Sequence, residues 1–61
     1  MTPAELRAIR KRLGLTGAAL AEMLGVTDRT IRRWEAGTVP ISKPAIFLIG
    51  HIQEAAGNSS P

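Results

Sequence analysis

Apolar positions along the chain recur at helical spacing and nowhere alternate in twos. Leu6, Ile9 and Leu13 mark one face of a first segment, and Leu20, Ala21 and Leu24 a second. Ile31 and Trp34 continue the stripe on a third, and Ala45, Leu48, Ile49, Ile52 and Ala56 form it on a fourth. Start and stop signals bracket each segment. Thr2-Pro3-Ala4-Glu5 reads as a capping box, with Thr2 as N-cap, Pro3 at the first helical position and Glu5 reaching back. The first helix therefore runs to about Leu13, before Gly14. Thr16 caps a second helix from about Gly17 to Leu24, and Thr27 caps a third from about Asp28 to Ala36, which stops at Gly37. A loop of Thr38-Val39-Pro40-Ile41 leads to a fourth helix from about Lys43 or Pro44 to Ala55, capped by Ser42. The fold class is all-α, with a domain expected over residues 1–56. Residues 57–61 have the composition of a frayed polar tail.

Between the second and third segments the spacing is tight. Gly25 ends one helix where a left-handed residue costs no Cβ clash, Val26 covers the corner, and Thr27 opens the next helix. Two helices crossing steeply after so short a turn leave little room, which suits Ala21. The pattern is that of a helix-turn-helix. The fourth helix carries more apolar residues than one face needs. Ile46, Phe47 and Gly50 fall roughly 100–200° away from its core stripe at about 100° per residue. They form either a dimer face, where Gly50 lets a partner backbone approach, or a cover for the loop at Val39 to Ile41.

A chain of 61 residues is one domain and buries only about 60% of its unfolded surface. It has no cysteine, so no disulfide or thiolate metal site staples it. Its formal charge is +3, and seven of its eight cations (Arg7, Arg10, Lys11, Arg12, Arg29, Arg32 and Arg33) lie in the first 33 residues. That asymmetry points to an anionic partner for the N-terminal half. The chain opens on a capped polar helix instead of a leader, and its longest apolar run, Ala45 to Ile49, is far below the ~20 residues that span a bilayer. A cytoplasmic location without membrane attachment is the expectation.

On the third helix Asp28, Arg29, Arg32 and Arg33 share the arc opposite Ile31 and Trp34. Arginine's fork matches guanine O6 and N7, and an aspartate at the helix start either accepts from cytosine N4 or favours the helix dipole. Asp28 and Arg29 are the better base-reading candidates, Arg33 reads a base or clamps a phosphate, and Arg32 neutralises backbone. Thr16 serves as N-cap or phosphate donor, and Lys43 with Ser42 sits where the start of the fourth helix can meet phosphate. Glu35, in the last turn, opposes the macrodipole and needs a partner. Arg10, beside the stripe of the first helix, is the expected one. No nucleophile, paired-carboxylate motif or phosphate loop supports catalysis, no cofactor or metal is implied, and lone His51 is read as solvent-facing or part of a dimer rim.

The stretch LRAIRKRLGLTGAALAEMLGVTDRTIRRWEAG resembles the DNA-binding domain of the phage repressor and Cro family, the XRE type, over about Leu6 to Ile52. The resemblance implies a compact bundle of four or five helices, lambda repressor-like, that binds a pseudo-palindromic operator in double-stranded DNA as a homodimer. It implies Thr27, Asp28, Arg29 and Arg33 at the DNA with Arg32 beside them, and a pairing of Arg10 with Glu35. One position departs from the family. Where a glutamine commonly touches phosphate and braces the recognition helix, this chain has Gly17, whose backbone N–H, with that of Ala18, is left to donate to a phosphate. The resulting expectation is a sequence-specific transcriptional regulator, a repressor. The alternative is a protein-interaction module, such as a minimal antitoxin or adaptor, on the same fold.

Overall fold

The computed structural model describes residues 1–58, with side chains through residue 56. The described residues form four helices in order: α1 (Pro3–Arg12), α2 (Gly17–Leu24), α3 (Asp28–Ala36) and α4 (Lys43–Asn58). Each begins where a hydroxyl satisfies an orphan amide. The N–H of Glu5 donates to Thr2 Oγ1 at 3.1 Å, and the Thr2 N–H donates back to Glu5 Oε1 at 3.2 Å, completing the capping box. Ala19 N–H donates to Thr16 at 3.1 Å, Thr30 N–H to Thr27 at 3.2 Å and Ala45 N–H to Ser42 at 3.4 Å.

The first three helices also end alike. Gly14, Gly25 and Gly37 all take positive φ. At the α2–α3 corner the Val26 N–H reaches back to Ala21 O at 2.9 Å and the Gly25 N–H to Glu22 O at 3.3 Å, a Schellman closure of α2. The same pair of bonds closes α1 through Leu15 and Gly14 and α3 through Thr38 and Gly37.

The core consists of Leu6 from α1, Leu20, Ala21 and Leu24 from α2, Ile31 and Trp34 from α3, and Ala45 and Ile49 from α4. Ile9, Leu15, Val26, Ile41 and Ile52 pack around it. α3 lies against both α1 and α2, and α4 lies against α2. Ala21 is buried in this core, where a larger side chain would overpack it.

The structure departs from the sequence-based expectation in places. Ile9 and Leu13 are half-buried, because they flank Leu6 at the edge of the α1 stripe. Leu48 is exposed, since it lies about 60° off the line of Ala45, Ile49 and Ile52 at about 100° per residue. Ala56 lies in that line but is exposed, beyond Ile52, the last α4 residue packed on the core. α4 runs on through Asn58 instead of stopping at Ala55. Gly57 is a permissive helical residue there, not a stop. Of the expected tail, residues 59–61 lie outside the described residues.

Leu20 is fully buried among all four helices' contributions. Leu20→Ala should cost about 2–5 kcal/mol, read as a fall in the midpoint of a circular-dichroism thermal melt.

Candidate nucleic-acid interface

α3 is amphipathic in the sense that decides function. Ile31 and Trp34 are 1% and 4% exposed, while Arg29, Arg32 and Arg33 all stand in solvent. Those three arginines line a shallow concavity with Ala36 and Thr38. The side chains of Arg29 and Arg33 make no ion pair or hydrogen bond among the described residues, so two guanidinium forks are uncommitted.

Arg32 is different. Its Nη2 donates to Asp28 Oδ2 at 2.8 Å, one turn back along the helix. The other Asp28 oxygen faces α2: an ideal Cβ placed on Gly17 would lie 2.9 Å from Asp28 Oδ1 and 3.8 Å from Ile31 Cγ2. Asp28 therefore lies between Gly17 in the first turn of α2 and Arg32 in the middle of α3. The i, i+4 spacing of Asp28 and Arg32 made their pairing discoverable. The approach to Gly17 left no mark in sequence.

The other expected contacts sit at helix starts. Thr16 and Thr27 are exposed, and both hydroxyls serve as N-caps. The Thr27 hydroxyl also lies 3.0 Å from that of Thr30, a residue that sequence reasoning did not single out although its offset from the cap pointed to it. Lys43 is exposed in the first turn of α4, free of ion pairs among the described residues.

Beneath this surface Glu35 joins α3 to α1. Arg10 Nε donates to Glu35 Oε2 at 2.7 Å and Arg10 Nη2 to Oε1 at 3.1 Å, a bidentate pair with side chains 19% and 11% exposed. Arg10 Nη1 also donates to Leu15 O at 3.2 Å, and Arg10 O accepts from the Leu15 N–H, so one residue fixes the α1–α2 connection twice. Arg7 Nε stands 3.5 Å from Glu35 Oε1. The hydrogen bonds from Arg10 hold the Glu35 carboxyl below the usual carboxylate range against the opposing effect of burial, and Glu35 raises the Arg10 guanidinium in turn.

The α4 residues form a separate surface. Phe47 is 69% exposed, so its ring buries little on the Val39–Ile41 loop. It meets His51 edge-on, with centroids 4.7 Å apart. Ile46 and Gly50 are half-buried and line a shallow depression with Phe47, His51 and Glu54. The structure does not bring these residues to the arginines of α3.

With this geometry in place, comparison with known proteins is decisive about class. Residues 6–50 match the helix-turn-helix family, and the chain belongs to it, in its phage repressor, Cro and XRE-like branch. It is a DNA-binding helix-turn-helix regulator in general type. No solved structure matches the chain significantly. Among the described residues no helix is long and apolar enough to cross a membrane.

Arg10→Met would leave Glu35 mostly buried beside only the exposed Arg7. A loss of about 3 kcal/mol at neutral pH is expected, measured by denaturant unfolding. Because the folded-state pKa of Glu35 is depressed, the pair's contribution is complete above the carboxylate range and is lost as pH falls through the folded value. The stability gap between wild type and Arg10→Met should therefore narrow on acidification.

Proposed function

We propose that the protein is a sequence-specific transcriptional repressor that places α3 in the major groove of an operator and reads it with Arg29 and Arg33. The observation that carries this reading is the pair of uncommitted, fully outward guanidinium forks on the second helix of a helix-turn-helix. An arginine without an internal partner keeps all its donors for a guanine edge, and a solvated face would normally intersperse acids with its cations. Thr16, Thr27, Lys43 and the backbone N–H of Gly17 are positioned at helix starts, where amides and the helix dipole favour phosphate. Such contacts set register and affinity without carrying sequence information.

Two copies are proposed to pair through Ile46, Phe47 and Gly50 of α4. An aromatic ring as exposed as Phe47, next to half-buried Ile46 and a glycine without a side chain, favours a self-complementary apolar contact. A two-fold pair spaces its reading helices ~34–36 Å apart and demands a pseudo-palindromic site. Repression then follows from occupancy of the operator. The second reading, an antitoxin-like or adaptor module, rests on the same exposed Phe47 with Leu48 beside it, which would then receive a different protein.

Selection from a randomised duplex pool at near-physiological salt should recover a pseudo-palindrome. Arg29→Ala should then cost about 1–3 kcal/mol and relax preference at one position per half-site. Lys43→Ala should weaken all sequences alike and shallow the salt slope by about one. Salt-sensitive binding with no enriched motif would refute base reading and favour the interaction module. Phe47→Glu should abolish joint occupancy of the two half-sites in a gel-shift titration while leaving half-site binding in place.

A further inference from the structure

The Gly17–Asp28–Arg32 arrangement bears on recognition itself, and its role in recognition rests on the proposed reading of DNA by α3. We infer that Gly17 is a specificity-setting positioning residue: the space left by its missing side chain seats the Asp28 carboxylate, which holds Arg32 as a third base-reading fork. A side chain at position 17 would put its Cβ 2.9 Å from Asp28 Oδ1, closer than real Cβ contacts come, so the carboxylate would have to move. Its Oδ2 is the atom that receives Arg32 Nη2 at 2.8 Å, so a displaced Asp28 releases Arg32.

The pairing also decides what kind of contact Arg32 makes. Arginine carries several rotatable bonds, and holding one terminal nitrogen to a carboxylate reduces the freedom lost when the rest of the fork meets a guanine. A phosphate clamp gains little from such orientation. It is weakened by a carboxylate standing beside the site, because Asp28 already neutralises the cation and repels the phosphate. Arg32 thus moves from the backbone set to the base-reading set. Asp28 acts through Arg32 and not as a direct acceptor from cytosine. On the helix Arg32 and Arg33 flank Arg29 on opposite sides, so the three forks would cover neighbouring base pairs.

Gly17→Ala tests this, since alanine is a better helix former than glycine and the group it displaces is the end of a side chain. In the free protein, the side-chain carboxyl carbon of Asp28 and the guanidinium resonances of Arg32 should shift in nuclear magnetic resonance spectra of Gly17→Ala. The Arg32 resonances should shift similarly in Asp28→Ala. On DNA, Gly17→Ala should lose about 5- to 140-fold discrimination at the position where Arg32→Ala loses it, with the Arg29-dependent position intact. The double variant Gly17→Ala/Asp28→Ala should discriminate no worse than Asp28→Ala alone. Unmoved Arg32 resonances in Gly17→Ala would overturn the brace. A wild-type motif whose Arg32-dependent preference survives Gly17→Ala would overturn the inference while sparing the DNA-recognition reading. A wild-type pool without any motif would overturn that reading and the base-reading role of Arg32, and the free-protein resonances would then judge the brace by itself.

Discussion

Glu35 lies in the last turn of α3, where the helix dipole disfavours negative charge, and only 11% of its side chain is exposed. It is tolerable there because Arg10 meets it with two nitrogens, and Arg10 in turn holds the α1–α2 connection through Leu15 O. Among the described residues only eight are buried in the core, and this one side chain ties α1 directly to α3. The orientation of α3 then depends on two anchors of different kind. Ile31 and Trp34 hold it by burial, which fixes the face α3 turns to the core, and the bidentate pair adds a directional tie to α1.

The charges on the outer side of α3 follow from how few partners that side has. Asp28 is the single acid on the face, and its engagement with Arg32 leaves Arg29 and Arg33 as the cations open to an incoming anion. The same carboxylate sits against the first turn of α2, in space that a side chain at position 17 would fill. The α4 surface around Phe47 has a different character, with Ile46, Phe47 and Gly50 beside His51 and Glu54 and no arginine in its lining. A cationic face and a face carrying an exposed aromatic ring are thereby held apart on different helices.

Much of this was legible in the residues. Thr16, Gly25, Thr27 and Gly37 mark the limits of α2 and α3 because capping is a local matter between a hydroxyl or a left-handed turn and amides a few residues away. The Arg10–Glu35 contact was legible for a different reason: a charge at the unfavourable end of a helix implies a partner. What escaped depended on tertiary geometry. Leu48 looked like core because a helical wheel has no knowledge of which flank another helix covers. The approach of Asp28 to Gly17 was invisible because it is set by the crossing of two helices, and no pattern reports the neighbours of a side chain that is not there.

The first three helices each carry their own opening threonine and closing glycine. For α3 this means that neither its boundaries nor its buried stripe involves the side chain of Arg29 or Arg33, since Arg33 serves the helix end only through its backbone carbonyl. Under the proposed reading, mutation at those two positions would change the operator while leaving the scaffold's stability largely untouched, since exposed substitutions away from caps and core seldom change it by more than about 0.5 kcal/mol. A domain this close to the lower limit of size has little stability to spend on experiment, so the separation of its letters from its grammar is what would allow such a protein to diverge in target while remaining folded.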